Sequence, residues 1–274
     1  MSKYKKNVMI VLSISSDIGF NLALDWIKKG YKVYGTYKTF SRNCIKLAEI
    51  GAKLFKCDLE RTSSVKVAAS KIKKLKNWNT LVLAAGTQDP IGKFNKIKFD
   101  IWEKSLRINL INQLRFFHEI FNKRDLSDKI KPRVIFFAGG ATNSSNKNYS
   151  AYTISKIASI KICELLATEI PDTIFSILGP GWVKTKIHES TLKNKKNSEE
   201  NYYKTISMLK SNECYPMHKI VKCVNWLIKS PGSLVNGRNF SAVYDPWGNK
   251  KINKIKKDFN NFKLRRFGNN LFND

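Results

Sequence analysis

Tyr152 and Lys156 stand four residues apart in the segment Asn148–Ile160, which reads NYSAYTISKIASI. In an α-helix this spacing places both side chains on one face, one turn apart. An ammonium group beside a phenol favours the phenolate. It can bring the phenol pKa toward neutrality, about three units below its usual ~10. The pair therefore predicts a tyrosine that exchanges protons with a reacting group.

Because lysine is abundant in this chain, the same spacing also arises at Tyr34/Lys38 and at Tyr215/Lys219. Tyr34 lies in an apparent strand, where residues i and i+4 do not meet as they do on a helix. Tyr215 is followed at once by a proline. Only Tyr152 comes just after an apolar strand and opens a helical pattern. Its setting therefore singles it out.

Short apolar runs alternate with helical patterns along the chain. The predicted strands are Val8–Leu12, Lys32–Tyr37, Lys53–Cys57, Leu81–Ala85, Arg133–Phe137, Thr173–Leu178 and Arg238–Val243. The predicted helices are Ile18–Lys29, Arg42–Ile50, Ser63–Lys76, Phe99–Asn122 and Ser150–Ile170. Near-continuous apolar strands alternating with helices predict an α/β fold. The expected layout is a doubly wound parallel sheet of the Rossmann type, in three α/β/α layers.

No linker or internal repeat divides the chain, so we expect one domain over residues 1–248. The polar segment 186–210 follows the sixth strand. It is interpreted either as a mobile cap over the site or as a solvated insertion. Residues 249–274 form a basic tail that we expect to be partly ordered at best.

The composition argues against several classes of protein. The five cysteines include no C-x-x-C pair and the three histidines are dispersed, so neither a disulfide framework nor a metal site is predicted. The apolar run after the basic N-terminus is too short for a good signal sequence, and no stretch reaches the ~18–20 apolar residues of a membrane helix. We expect a cytoplasmic protein without a membrane partner.

The chain carries 50 Lys and Arg residues against 21 Asp and Glu, a net charge of +29. One interpretation is a nucleic-acid-binding surface. The other is a coding bias, since lysine, asparagine and isoleucine are elevated along the whole length. The excess is diffuse and accompanies no recognisable nucleic-acid module, so no nucleic-acid partner is predicted. A polyanionic cofactor or substrate would still be attracted to such a surface.

Three segments join the tyrosine–lysine pair to form a pattern. They are VMIVLSISSDIGF at the first strand, RINLINQ in the long helix and LGPGWVKT after the sixth strand. Over roughly residues 6–248 this pattern resembles the short-chain dehydrogenase/reductase family. The resemblance implies an oxidoreductase that interconverts a carbonyl and a hydroxyl by hydride transfer with a nicotinamide cofactor.

The resemblance also implies the cofactor-binding residues. Ile18 and Gly19 match the end of the family's glycine-rich turn, whereas Ser13 and Asp17 stand where glycines are usual. Ser13 is small enough for the turn, and Asp17 is interpreted as a helix N-cap. The other implied positions are Asp58 toward the adenine, Gly86 in Ala84-Ala85-Gly86, Lys156 on the ribose, and Val183 with Thr185 on the carboxamide.

By the same resemblance, Lys156 would lower the pKa of Tyr152, the proton donor and acceptor. Asn109 would kink the long helix and hold a water that continues a proton path to solvent. The family serine that binds the substrate carbonyl is absent, because its position is occupied by Gly139. The hydroxyls of Thr142, Ser144 and Ser145 lie in the following loop and could substitute for it, and we predict Thr142 as the replacement. The alternative is a catalytically weakened member that binds or senses a cofactor.

The end of the second strand predicts the cofactor. NAD sites usually offer a carboxylate to the ribose 2′-hydroxyl, whereas NADP sites offer basic and hydroxyl groups. The segment YKVYGTYKTFSRN has no Asp or Glu but carries Thr36, Lys38 and Arg42. NADP is therefore favoured over NAD.

The substrate is expected to be a small molecule. The segment SAVYDPWGN weakly resembles a subgroup found near surface-polysaccharide genes, which makes a sugar or nucleotide sugar a candidate, although it could equally be a turn. The family further implies a homodimer or homotetramer, assembled through the helices at Phe99–Asn122 and Ser150–Ile170.

Overall fold

Seven parallel strands form one sheet at the centre of the computed structural model, which describes residues 7–127, 130–140, 142, 144–211 and 213–267. The strands are β1 (Val8–Leu12), β2 (Lys32–Tyr37), β3 (Lys53–Lys56), β4 (Thr80–Leu83), β5 (Arg133–Phe137), β6 (Ile174–Gly179) and β7 (Arg238–Ser241).

The strand order is β3-β2-β1-β4-β5-β6-β7. Met9 of β1 pairs with Val33 of β2 on one side and with Thr80 of β4 on the other. The order therefore reverses at β1, where the connection from β3 crosses to β4. In open parallel sheets a ligand binds beyond the carboxyl ends of the strands at such a reversal. The doubly wound sheet predicted from the sequence is confirmed.

Helices cover both faces of the sheet. They are α1 (Asp17–Lys28), α2 (Arg42–Glu49), α3 (Thr62–Lys73), α4 (Phe99–Leu106), α5 (Asn112–Ile120), α6 (Ser150–Glu169), α7 (Glu189–Lys193), α8 (Lys195–Ser198), α9 (Glu200–Lys210), α10 (Met217–Lys229) and α11 (Gly232–Val235). Side chains that alternate along the strands point to opposite faces of the sheet and pack into two separate hydrophobic cores. Trp26 of α1 and Val224 of α10 belong to one, and Phe116 of α5 and Cys163 of α6 to the other.

The helix predicted over Phe99–Asn122 is not continuous. A π-helical segment, Arg107–Ile111, separates α4 from α5, and a short 3-10 turn follows at Phe121–Lys123. Such wide turns recur at functional sites. This one contains Asn109, the residue expected to kink the helix.

The two polar segments contain regular structure. Residues 186–210 form a 3-10 turn and helices α7, α8 and α9. In the tail, a 3-10 helix spans Lys250–Lys257, and Ile252 and Ile255 are buried. Arg265 forms an ion pair with Glu164 of α6 at 2.6 Å. More of the tail is ordered against the domain than we expected, because Ile252 and Ile255 are buried in the core. Residues 268–274 lie outside the described residues.

Within the described ranges, no helix is long and apolar enough to cross a bilayer. The same ranges hold no cluster of three or more His, Cys, Asp or Glu side chains that could bind a metal ion.

Candidate active site

Tyr152 and Lys156 lie one turn apart at the start of α6, as their spacing predicted. Both side chains are buried. The Lys156 ammonium donates a hydrogen bond to the carbonyl oxygen of Phe137 at 3.0 Å and lies 5.8 Å from the centre of the Tyr152 ring. The last residue of β5 therefore anchors the lysine at the carboxyl edge of the sheet.

The direction predicted for the Tyr152 pKa is wrong. Burial raises the pKa of Tyr152 to about 12 and lowers the pKa of Lys156 to about 8. Both shifts have one cause: a buried site disfavours the charged form of each group. At neutral pH the phenol is protonated and is a proton donor.

Gly139, which takes the place of the family serine, lies directly against the Tyr152 side chain. A Cβ atom built on Gly139 would lie 2.6 Å from the Tyr152 hydroxyl and 2.8 Å from Cγ of Lys156. The absence of a side chain is therefore what lets the phenol occupy this position. Thr142, the predicted replacement, donates its hydroxyl hydrogen bond to the Gly139 carbonyl at 3.3 Å.

Asn109 fastens the π-helical segment to the loop after β4. Its side chain accepts from the backbone N–H of Thr87 at 2.8 Å and donates to the Thr87 carbonyl at 2.9 Å. A Cβ on Gly86 would lie 3.8 Å from both the Asn109 oxygen and the Lys156 ammonium. Asn109 and Lys156 thus converge on Gly86.

Gln113 supports the same loop and was missed by sequence reasoning. Its amide donates to the carbonyls of Ala85, Ile108 and Asn109 at 3.0 to 3.2 Å. It thereby holds the loop after β4 at Ala85. An amide four residues after Asn109, on the same helix face, was the available signal.

The turn after β1 is built without two of the usual glycines. Ser13 adopts a left-handed backbone, with φ of 68°, and its N–H donates to the Thr36 hydroxyl at 3.0 Å. A Cβ on Gly19 would lie 2.5 Å from the Ser13 carbonyl oxygen, so this glycine is needed for close packing. Ile18 follows Asp17 in the first turn of α1 and packs against the core.

Asp17 does not cap α1 as expected. The N-cap is Ser16, whose hydroxyl accepts from the Gly19 N–H at 3.1 Å. The Asp17 carboxylate instead accepts from the backbone N–H of Lys186 at 2.7 Å. It therefore ties the start of α1 to the segment after β6, across the carboxyl edge of the sheet.

Val183 and Thr185 lie in that same segment after β6. Val183 is buried, and its carbonyl accepts a hydrogen bond from the Thr185 hydroxyl at 3.3 Å. It also lies 3.0 Å from Nε2 of His188, whose ring stacks on Trp182 with centroids 4.8 Å apart. The segment is thus fixed beside the edge where the Tyr152 side chain lies.

A cavity of about 400 Å³ opens beyond the carboxyl ends of β1 to β4. Its lining includes five of the residues singled out above: Ser13, Thr36, Lys38, Asp58 and Gly86. Asp58 does not cap α3; its carboxylate accepts from the N–H of Glu60 at 3.0 Å. Arg42 does not line the cavity.

The positive charge of Lys38, at the end of β2, is balanced by carboxylates that the sequence did not indicate as its partners. Lys38 forms an ion pair with Glu60 and lies 3.7 Å from Asp58. Glu60 also pairs with Lys104 of α4 at 2.5 Å, and these two lysines hold the pKa of its carboxyl below the usual range. Glu60 and Lys104 are cavity residues that the sequence reasoning missed.

The segment 186–210 packs against neighbouring loops. Thr191 of α7 is buried, and its hydroxyl lies 2.9 Å from both the Tyr149 hydroxyl and the Gln88 side-chain oxygen. Ser190 donates to Asp89 at 2.8 Å. These bonds join α7 to the loops that precede α4 and α6. The cap and the solvated insertion both stay predictions for this segment.

The segment after β7 forms a turn. The Asp245 carboxylate accepts from the N–H of Ser241 at 2.6 Å, and the Trp247 indole donates to the Ala242 carbonyl at 2.8 Å. These contacts explain the conformation of Asp245-Pro246-Trp247 as a turn. The resemblance to a surface-polysaccharide subgroup stays a prediction.

Known proteins share this architecture. NADPH-dependent aldehyde reductase 2, chloroplastic, of Arabidopsis thaliana is 24% identical over 259 residues, covering 86% of this chain and 92% of the relative. A short-chain dehydrogenase/reductase from Saccharomyces cerevisiae superposes with a TM-score of 0.73 at 22% identity, over 88% of this chain and 97% of that one.

A second solved structure, a variant of actinorhodin polyketide ketoreductase with NADPH, superposes with a TM-score of 0.74 at 17% identity, again over 88% and 97% of the two chains. The model of the short chain dehydrogenase family matches residues 7–196, more than half of the sequence. With its reversed strand order and the Tyr152–Lys156 pair at the carboxyl edge, this chain belongs to the short-chain dehydrogenase family of oxidoreductases.

Proposed function

We propose that this protein is an NADPH-dependent reductase that converts a carbonyl group to a hydroxyl. The observation that carries the proposal is the position of the Tyr152 phenol, which lies beside Gly139 with Lys156 next to it at the carboxyl edge of the sheet. Ligands of doubly wound sheets bind at this edge. A protonated phenol at this edge can donate a hydrogen bond, and then its proton, to the carbonyl oxygen of a substrate.

Each residue then has a chemical role. When bound, the nicotinamide cofactor supplies the hydride. Tyr152, which burial keeps protonated with its pKa raised to about 12, donates its proton to the oxygen of the reacting carbon. Lys156, anchored on the Phe137 carbonyl, orients the phenol and stabilises the phenolate left behind. Asn109 holds the π-helical segment against the loop after β4 through Thr87.

The missing serine lowers the expected rate without abolishing it. Removing one preorganised hydrogen-bond donor from a site typically costs 10²–10³ in rate. Because Gly139 has no side chain, the Tyr152 phenol lies where the family serine would stand. Tyr152 is therefore the main donor to the substrate oxygen. Thr142 remains the proposed second donor, through a rotation of its hydroxyl away from the Gly139 carbonyl.

Several groups support NADP as the cofactor. The 400 Å³ cavity presents Lys38 and Lys104 at its rim, and both ammonium groups can approach a 2′-phosphate. The Arabidopsis relative is named for NADPH dependence. Glu60 opposes this choice, since its carboxylate already pairs with both lysines. We infer that a 2′-phosphate competes with Glu60 for Lys38.

The cofactor assignment is tested by titrating NADPH and NADH into the protein and into Lys38→Gln. We expect the variant to bind NADPH about tenfold more weakly, since hydrogen bonds to charged groups contribute about 1.5–3 kcal/mol, while NADH binding is unchanged. Lys46→Gln, an exposed lysine of α2, is the control for net charge. Equal losses for both cofactors would contradict the assignment.

The substrate is proposed to be a small carbonyl compound, with aldoses and nucleotide sugars as candidates. The test follows NADPH consumption over a panel of aldehydes, ketones and these sugars. Turnover of any member supports the reductase. Tight NADPH binding without turnover across the panel would instead favour the cofactor-binding or sensing alternative.

A further inference from the structure

A second cavity, of about 900 Å³, lies at the opposite edge of the sheet. Five strands contribute residues from their amino ends, where the chain enters the sheet. These residues are Met9, Thr80, Arg133, Ile174 and Arg238. Since the strands are parallel, this cavity is separated from the Tyr152 site by the length of the sheet. Nothing in the proposed reaction uses it.

Two buried arginines line this cavity. Arg133 is 7% exposed and Arg238 is 6% exposed. Arg133 donates to the carbonyl of Leu227 at 3.4 Å, and Arg238 donates to the carbonyls of Ser233 and Leu234 at 3.2 and 2.9 Å. Within the part of the chain that the structure describes, the Nε atom of each guanidinium is buried and has no hydrogen-bond partner. Such groups ordinarily find partners, because an unmet buried donor costs about 1–3 kcal/mol.

The charge around the two arginines is not balanced. Among the described residues that line the cavity, five are cationic and none is Asp or Glu; the cations are Lys131, Arg133, Lys229, Arg238 and Lys263. Burial lowers the pKa of both arginines, and only Arg238 has a nearby carboxylate, Asp258, acting against the shift.

The other charges near the cavity do not neutralise it. Lys263 lies 3.9 Å from Glu164, but that carboxylate is already paired with Arg265 at 2.6 Å. Lys131 donates to the Pro171 carbonyl at 2.7 Å and so adds its charge to the rim. The cavity therefore carries an excess of positive charge that an anion would offset.

The two guanidinium groups can act on one ligand. Arg133 pairs in register with Ile174 of β6, and Arg238 pairs with Ser176 of the same strand. Positions 174 and 176 share one face of a strand, so both arginines project to the same side of the sheet. They are two strands apart and offset by two residues along the strand direction, which places their Cα atoms roughly 12 Å apart. This separation favours a ligand with two anionic groups.

We propose that the cavity binds a small phosphorylated molecule that carries at least two anionic groups. Guanidinium groups form paired hydrogen bonds with phosphate oxygens, and both arginines line the cavity with an Nε donor that lacks a partner among the described residues. The apolar part of the lining, including Tyr31 and Ile228, would contact the rest of the ligand.

Pyrophosphate is the probe for this site. We would titrate it calorimetrically into the wild type, Arg133→Gln and Arg238→Gln. Saturable binding to the wild type is expected, weakened about tenfold or more in each variant. Because a buried substitution can impair folding, Lys131→Gln/Lys229→Gln removes two exposed rim charges as a second variant; we expect at least a threefold loss from it.

Two controls separate this site from other cationic surfaces. Lys66→Gln removes one exposed charge from α3, and Lys46→Gln removes one exposed charge from α2. Both should bind pyrophosphate as the wild type does. The proposal would be overturned by an equal loss of affinity in either control. It would also be overturned if folded Arg238→Gln and the rim variant both kept the wild-type affinity, or if the wild type showed no saturable binding. None of these results depends on cofactor binding or turnover.

Discussion

The Tyr152 hydroxyl occupies space that a side chain at position 139 would fill. Most of the expected chemistry rests on this contact, because it leaves the phenol free to approach a substrate oxygen where a serine hydroxyl would otherwise stand. The exchange of a donor for a glycine therefore alters the geometry of the site as well as the number of its donors.

Restoring the family serine should harm this protein. In Gly139→Ser the new Cβ would lie 2.6 Å from the Tyr152 hydroxyl and 2.8 Å from Lys156, so the ring must shift. Displacing a catalytic group by about 1 Å can cost 10²-fold. We expect NADPH consumption to fall at least tenfold, measured with whichever carbonyl substrate the panel identifies.

Gly140→Ser is the matched control for that substitution, because a Cβ at Gly140 meets nothing within 4 Å. Its activity should stay within twofold of the wild type. A Gly139→Ser variant that is more active than the wild type would contradict this expectation. It would show that the Tyr152 ring can shift to accommodate a serine without loss of activity.

Stability should rise with pH because Lys156 is buried. Its pKa is lowered to about 8 in the folded protein, against ~10.4 in an unfolded chain. Between these values the unfolded state binds more protons, so the free energy of unfolding increases with pH. Below pH 8 both states are protonated and the cost of the buried charge is fully present. Tyr152, with its pKa raised to about 12, opposes the trend only above pH ~10.

The comparison is between the wild type and Lys156→Met, unfolded with urea at pH 8 and at pH 10 without cofactor. The free energy of unfolding of the wild type should rise by about 2 kcal/mol relative to the variant. A constant difference between the two proteins would mean that Lys156 titrates normally.

The tyrosine–lysine pair could be predicted from sequence because helical spacing alone brings the two residues together. The pKa of Tyr152 could not, since burial outweighs the neighbouring ammonium and burial depends on tertiary packing. The pairing of Lys38 with Glu60 was hidden for a similar reason: the residues are 22 positions apart and meet only where β2 and β3 end side by side.

Among the elements, Asp17 links the start of α1 to the segment after β6 through the N–H of Lys186. Removing this acceptor should loosen the entry to helices α7 to α9. In Asp17→Ala we expect hydrogen exchange of the Lys186 amide to quicken about fivefold, since a typical hydrogen bond contributes about 1 kcal/mol. Mass spectrometry or NMR of the exchanging protein would measure it.

Asp100→Ala provides the comparison, because Asp100 is exposed in the first turn of α4. Exchange at Lys186 should not change in that variant. If Asp17→Ala also leaves it unchanged, the carboxylate does not hold the two segments together.

The central strands β1, β4 and β5 were predictable because each is a short run that is buried on both faces. The helical pattern did not indicate the π-helical segment; only the family resemblance indicated a kink at Asn109, which bonds to Thr87 in another loop. Helices α7 to α9 were also missed. Their polar sequence has no strong apolar stripe, and α7 is held by contacts with Tyr149, Gln88 and Asp89 in other loops.

At the scale of the whole molecule, large apolar side chains are exposed on α4 and α6, namely Phe99, Ile101, Ile154 and Leu165. We propose that these helices form the interface of a homodimer or homotetramer. Leu165→Glu should then reduce the mass measured by light scattering to that of a monomer. Val67→Glu, on the exposed side of α3, should keep the wild-type mass. A monomeric wild type would contradict the interface.

The role of Tyr152 is tested most directly by comparing Tyr152→Phe with the wild type in both NADPH binding and NADPH consumption. The substitution removes only the hydroxyl, so the fold and the cofactor cavity should be retained and NADPH affinity should stay within about twofold. Turnover should fall by roughly 10²–10⁴, the usual contribution of a positioned proton donor. Turnover equal to that of the wild type would show that another group supplies the proton.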